Sequence, residues 1–247
     1  MARQKLGQHF LRNSALLERI AAAVCPQPEQ TVIEIGPGRG ALTARLLEKC
    51  RRVVAIELDR DLARYLRREF AGEPRLEVVE ADALATDLGQ WGSVPIAGNL
   101  PYYIATPIVE KAVRLKPPRA VFLIQKEVAE RLVAQPGEPA YGFLTVATAL
   151  FASARLLFAI KPGAFEPPPA VDSAVVLLEP RPTLPHADAV LELISHAFRH
   201  KRKTLRNNLA PVYGRAVEAW PEAGLRAENI PLAGYLEMYD RIIRLAG

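Results

Sequence analysis

Short runs of β-branched and aliphatic residues alternate with helical patterns along the first two-thirds of the chain. Thr31-Val32-Ile33-Glu34-Ile35, Val53-Val54-Ala55-Ile56-Glu57, Leu76-Glu77-Val78-Val79-Glu80, Val94-Pro95-Ile96-Ala97 and Ala120-Val121-Phe122-Leu123-Ile124 predict five strands. Ala41 to Lys49, Asp61 to Phe70, Pro107 to Leu115 and Glu127 to Ala134 predict the helices between and after them. Such alternation specifies an α/β fold, a parallel sheet with helices on both faces. Sheets of this kind take ligands at the carboxyl ends of their strands, where the strand order switches. Gly36, Glu57, Asp82 and Asn99 all fall at or just after a predicted strand end, so they share one address.

Two further predicted strands, Arg155 to Ile160 and Ala174 to Leu178, flank the stiff loop Lys161-Pro162-Gly163-Ala164-Phe165-Glu166-Pro167-Pro168-Pro169. Arg181-Pro182-Thr183-Leu184-Pro185 reads as a linker, and from Ala187 onward the pattern is helical only. The expected organisation is a sheet domain over residues 1–180 and a small all-α domain over residues 181–247. A helix from about His196 to Leu209 would turn Phe198, Leu205 and Leu209 inward. It would align Arg199, Arg202, Lys203 and Arg206 at i, i+3, i+4 and i+7 on another face.

With 247 residues, half of them apolar and about a quarter charged, the chain can bury a full core. Its longest apolar stretch, Phe143 to Ala154, is too short to span a bilayer and is interrupted by threonines. No apolar secretion core follows Met1-Ala2-Arg3-Gln4-Lys5, so the expectation is a cytoplasmic protein with no membrane partner. Cys25 and Cys50 sit in apolar surroundings and read as buried thiols. His9, His186, His196 and His200 do not form a ligand cluster, and no metal is expected. Net charge is a modest +5, but Arg199, His200, Lys201, Arg202, Lys203 and Arg206 crowd into one segment. A local positive face points to phosphate better than the total does.

The candidate chemistry lies at the strand ends. Gly36-Pro37-Gly38-Arg39-Gly40 between a strand and a helix allows close approach of a ligand to the backbone. Gly36, Gly38 and Ala41 also fit a relaxed dinucleotide fingerprint. Glu57 suits two ribose hydroxyls, which NAD and S-adenosylmethionine share, and Asp82 can accept from an adenine amino group. Asn99-Leu100-Pro101-Tyr102 offers more. The Asn99 side-chain oxygen and a carbonyl of Leu100 or Pro101 can accept the two hydrogens of an aminated base, and Tyr102 can stack on its ring. An NAD-dependent oxidoreductase would leave this quartet and the basic segment idle. A non-catalytic RNA-binding assembly factor would keep the same fold.

Taken together, these motifs resemble the ribosomal RNA adenine N6-dimethyltransferase family, most closely its small-subunit branch. The resemblance is carried by Lys5-Leu6-Gly7-Gln8-His9-Phe10-Leu11, Glu34 to Thr43, Glu57-Leu58-Asp59, Asp82-Ala83-Leu84 and Gly98 to Tyr102. Phe165-x-Pro167-x-Pro169-x-Val171-Asp172-Ser173 and Arg202-Lys203-Thr204-Leu205-Arg206 complete it. It implies a Rossmann-like methyltransferase sheet with a C-terminal all-α domain, and S-adenosylmethionine as cofactor. By the same resemblance the cofactor is held by His9, Leu11, Gly36, Gly38, Glu57, Asp82 and Asn99. Asn99, Leu100, Pro101 and Tyr102 carry the reaction, with Tyr102 and Phe165 gripping the base, and Arg199, Arg202, Lys203 and Arg206 hold RNA. The implied reaction methylates the N6 amino groups of two adjacent adenosines near the 3′ end of small-subunit (16S) rRNA. A monomer would act on a pre-assembled subunit and serve ribosome biogenesis. His9 stands where the family often has asparagine. Tyr103 and Ala105 replace an asparagine and a serine, so the helix that follows starts without their caps.

Overall fold

A computed structural model describes residues 9–246; Lys5-Leu6-Gly7-Gln8, the start of the first family motif, lies outside the described residues. Two compact units emerge. The first runs up to Ala129 and resumes over Ala154–Pro180; the second comprises Glu130–Ser153 and everything from Arg181 onward.

The first unit is built on β1 (Phe10–Leu11), α1 (Ser14–Val24), β2 (Glu29–Ile35), α2 (Ala41–Leu47), β3 (Cys50–Glu57), α3 (Arg60–Glu69) and β4 (Leu76–Glu80). There follow β5 (Ile96–Asn99), α4 (Ala105–Arg114), β6 (Ala120–Gln125), β7 (Ala152–Ile160), β8 (Phe165–Glu166) and β9 (Ser173–Pro180). Seven strands form one sheet in the order β4-β3-β2-β5-β6-β9-β7. The first five are parallel, and β9 returns antiparallel beside β6. Val53 to Ile56 and Ala120 to Ile124 are buried without a break, as expected of strands covered on both faces. β1 and β8 make a separate antiparallel pair, with Leu11 opposite Phe165.

In this unit most predicted elements fall where the pattern put them, and two differences are informative. β5 starts and ends two residues later than the predicted Val94 to Ala97. Pro95 has no N–H to give to the ladder, so only its carbonyl joins, accepting from Ile33 N. Asn99 is therefore itself the last strand residue, paired with Leu123. Helix α1 is additional: Asn13 caps it by accepting from Leu16 N, and Leu17, Ile20, Ala21 and Val24 are buried at helical spacing.

The second unit takes up α5 (Lys126–Val133) from Glu130 onward, then α6 (Phe143–Phe151), α7 (Ala187–Ala197), α8 (Leu205–Tyr213) and α9 (Leu232–Ala246). Residues 130–153 were expected in the sheet domain but group instead with the C-terminal helices. The cause is specific: Tyr141 Oη donates to the Ile230 carbonyl at 2.6 Å, and the Phe143 ring meets Phe198 edge-on at 6.5 Å. The apolar run from Phe143 becomes α6, buried on nearly every side. Among the described residues no helix is long and apolar enough to cross a membrane.

Candidate active site

β2 and β5 are neighbours in the sheet although β3 and β4 intervene in the chain, so the strand order switches between them. Ile35 lies opposite Gly98, which sets the turn after β2 beside Asn99. A side chain at Gly98 would put its Cβ 2.6 Å from the Ile35 carbonyl oxygen; the two strand ends approach this closely only because none is there. Gly38 has φ +59°, and a Cβ there would lie 2.8 Å from the Phe10 ring. Phe10 thus packs against the glycine turn, and the Arg39 guanidinium lies 4.8 Å from the centre of its ring.

These elements wall a cleft of about 850 Å³ including its open mouth. His9, Leu11, Gly36, Gly38, Glu57 and Asn99 to Tyr102 line it. An adjoining recess of about 450 Å³ shares Gly36, Glu57 and Pro101 and adds Leu58, Asp82 and Tyr103. Every predicted cofactor residue therefore faces one of two connected hollows. Leu58 and Tyr103 stay exposed at the recess, Tyr103 at 62%. Ala105 is fully buried, and α4 begins without a side-chain cap.

The carboxylates differ in their surroundings. Glu57 is buried; its Oε1 accepts from Asp59 N at 2.9 Å and its Oε2 from Gly38 N at 3.1 Å. Burial pushes its carboxyl above the usual range, and the two backbone N–H groups counter that effect. Asp82 Oδ1 accepts from Leu84 N at 2.8 Å, which fixes the turn after β4. Glu34, not among the expected site residues, also lines the cleft and is buried at 1% exposure. Burial pushes it to about 7, although Thr43 Oγ1 donates to its Oε2 at 2.6 Å. An acid in an otherwise apolar strand just ahead of a glycine turn was the available signal.

Asn99, His9 and Tyr102 form a connected group. Asn99 Nδ2 donates to the His9 carbonyl at 3.0 Å. His9 Nδ1 lies 2.8 Å from the Pro167 carbonyl, which can only accept, so Nδ1 carries a proton. The His9 ring sits 5.7 Å from that of Tyr102, tilted by 30°. Tyr102 Oη is 2.9 Å from Oγ of the fully buried Ser173. Leu100 N donates to the Leu123 carbonyl, and the Pro101 carbonyl accepts from Ile104 N. His9 thus replaces an amide with a ring that both bridges to Pro167 and lies against Tyr102. Pro167 and Ser173 belong to the motif that starts at Phe165, but their partners in the site, His9 and Tyr102, were not readable from sequence pattern.

Phe165 is placed differently from its expected base-gripping role. It is buried at 6% exposure in the core with Leu11, Leu17, Leu123 and Ile160. An aromatic ring so enclosed pins the loop through β8 and has no open face for a base.

The basic segment also differs from expectation. No continuous helix runs from His196 to Leu209: α7 ends at Ala197 and α8 begins at Leu205. Leu205 N donates to the Leu225 carbonyl and Arg206 N to the Ala223 carbonyl, so these amides are drawn out of any preceding helical turn. Thr204 bridges to Arg226 in extended conformation. Residues 199–203 form an exposed turn, with Arg206 exposed on the first turn of α8. The four expected RNA contacts are still close in the chain, but Arg199, Arg202 and Lys203 lie on the turn and Arg206 on the start of α8, so they do not share one helix face.

The family model of ribosomal RNA adenine dimethylases matches residues 1–244. Ribosomal RNA small subunit methyltransferase A of Marinobacter nauticus is 41% identical over 254 residues, covering 97% of this chain and 91% of its own. Among solved structures, a dimethyladenosine transferase from Plasmodium falciparum superposes with a TM-score of 0.83 at 26% identity, covering 96% of this chain and 98% of its own. The 23S rRNA methyltransferase ErmE gives 0.76 at 28% identity, covering 95% and 99%. Whole-chain agreement of this kind leaves no room for the dehydrogenase that the glycine turn alone allowed. This chain belongs to the ribosomal RNA adenine dimethylase family.

Proposed function

We propose that this protein transfers methyl groups from S-adenosylmethionine to the N6 amino groups of two adjacent adenosines near the 3′ end of small-subunit rRNA. In this reading it is a cytoplasmic monomer acting on a pre-assembled small subunit and contributing to its biogenesis. One observation carries the reading: Asn99, its amide held by the His9 carbonyl, stands beside Tyr102 at the sheet's switch point, next to the Gly36 turn and Glu57.

The residues present fit the cofactor. Glu57 at the end of β3 lines the cleft, which supports a role as acceptor for two ribose hydroxyls, and Asp82 lines the adjoining recess, which supports one as acceptor for an adenine amino group. The glycine turn beside Asn99 holds Gly36 at φ +68° and Gly38 at φ +59°, a path that side-chain-bearing residues rarely follow. His9 and Leu11 line the same cleft. S-adenosylmethionine, when bound, supplies a methyl carbon made electrophilic by its sulfonium.

The protein's part is orientation. The adenine amino nitrogen is a poor nucleophile because its lone pair is delocalised into the ring. With Nδ2 turned to His9, Asn99 presents Oδ1 as an acceptor for one amino hydrogen. The Leu100 carbonyl is the better second acceptor, because Pro101's is already bonded to Ile104 N. Accepting both hydrogens favours a pyramidal nitrogen whose lone pair is directed at the methyl carbon. Asn99 is neutral, so it positions and polarises the amine and is no base. Alignment of this kind can supply up to about 7–11 kcal/mol in the best intramolecular cases. The Tyr102 ring, held by Ser173, offers the stacking surface, worth about 1–3 kcal/mol per base.

The test is tritiated methyl transfer onto unmethylated small-subunit particles followed by nucleoside analysis. Dimethyladenosine in small-subunit rRNA is the expected product. Label appearing only in large-subunit RNA, or none at all from a protein that still binds S-adenosylhomocysteine, would overturn the proposal.

A further inference from the structure

We infer that Asn208 is the positioning residue that shapes the α7–α8 turn for the backbone phosphates of RNA, an inference that rests on the RNA reading of that turn. Asn208 lies in the first turns of α8 and is 4% exposed. Its Nδ2 donates to the carbonyl of Ala197, the last residue of α7, at 2.7 Å and to that of His200 at 3.2 Å. One buried amide therefore ties both the end of α7 and the middle of the turn to α8. Its Oδ1 finds no protein partner among the described residues, so the side chain is engaged through its donors alone.

The turn needs such a tie because of its charge. Arg199, Lys201, Arg202, Lys203 and Arg206 are exposed, and among the described residues none of them has a carboxylate at ion-pair distance. Three of the four arginines of α3 are the contrast: Arg60 and Arg67 pair with Glu80, and Arg64 with Asp61. Unpaired like charges repel, and an unrestrained turn would open to separate them. Within the turn Lys203 N donates to the His200 carbonyl, the same oxygen that Asn208 holds. At the other end, Leu225 and Ala223 carbonyls occupy the first two amides of α8. Those bonds, with Asn208 N donating to the Thr204 carbonyl, engage three of the first four amides of α8, and the side-chain cations are the main groups left to meet phosphate. Asn208 touches no phosphate itself; it fixes how many of those cations can engage at once.

The experiment measures binding of unmethylated small-subunit particles over a salt series. Asn208→Leu removes both donors at similar volume. It should lower the salt slope by about two phosphate contacts and weaken binding roughly tenfold or more near 0.1 M salt. S-adenosylhomocysteine affinity should not change. Tyr141→Phe, which deletes an equally buried hydrogen bond in the same unit, should lower Tm but keep the wild-type slope. Asn208→Ser, retaining one donor, should fall between and keeps the test readable if the leucine variant fails to fold. A folded Asn208 variant with the wild-type slope sinks the inference. A wild-type slope in the triple variant Arg202→Ala, Lys203→Ala, Arg206→Ala would instead remove the RNA reading of the turn itself.

Discussion

The side-chain amide of Asn99 donates to the backbone carbonyl of His9 at 3.0 Å, joining residues 90 positions apart. A carbonyl cannot donate, so the bond fixes which end of the amide faces His9 and leaves Oδ1 as the group offered to a substrate. The N-terminal strand and the strand-end quartet are therefore one piece of machinery.

Asn99→Ala should reduce methyl transfer by about 10²–10³-fold, the usual cost of deleting one positioned hydrogen-bonding group in an active site. Stability should fall by only about 1 kcal/mol for the lost bond to His9. Initial rates of tritium transfer and a thermal melt on the same preparation check both. Near-normal turnover would remove Asn99 from its assigned role.

Tyr102 separates two contributions. Tyr102→Phe loses the hydroxyl contact with Ser173 and should cost about 0.5–1.5 kcal/mol of stability while keeping most of the turnover. Tyr102→Ala also removes the ring and should weaken capture of the base by about 1–3 kcal/mol, roughly 5- to 150-fold in kcat/KM for the RNA. If the phenylalanine variant were as impaired as the alanine variant, the hydroxyl and not the stacking surface would be what matters.

Gly38→Ala tests the cradle. The left-handed φ of +59° costs a non-glycine residue about 1–2 kcal/mol, and the new Cβ would also press on the Phe10 ring at 2.8 Å. Lower stability together with weaker S-adenosylhomocysteine binding in calorimetry is expected. Unchanged affinity would separate the Phe10 contact from ligand binding.

Glu34 makes stability depend on pH in a stated direction. Burial raises its carboxyl from 4.5 to about 7, so the folded chain holds a proton there that the unfolded chain has released. The stabilising contribution is fully present below about pH 4.5 and is lost as pH rises through about 7, on the order of 3 kcal/mol. Glu34→Gln keeps an acceptor for Thr43 and should flatten this fall. Denaturant melts between pH 5 and 8 compare the two proteins, and parallel curves would refute the assignment.

The sheet was readable in advance because its signals are local. Uninterrupted apolar runs such as Ala120 to Ile124 mark strands buried on both faces, and the glycines after Ile35 mark a turn whatever surrounds it. The basic turn was not readable, because Phe198, Leu205 and Leu209 keep helical spacing whether or not the helix is continuous. Carbonyls of Leu225 and Ala223, about twenty residues downstream, decided the break by capturing the amides of Leu205 and Arg206. Phe165 shows the same limit: an aromatic ring in a proline-rich loop serves a core or a ligand equally well, and only its burial beside Leu11 and Leu17 decided which.

By itself the order of residues determined the strand ends where Gly36, Glu57, Asp82 and Asn99 gather, since backbone propensity and hydrophobic period act over a few neighbours. The tertiary structure decided how those ends are equipped. It turned the Asn99 amide toward His9, set His9 against Pro167 across 158 positions of chain, and fixed Tyr102 to Ser173. Such pairings depend on the path of the whole sheet, and no short stretch of sequence carries that information.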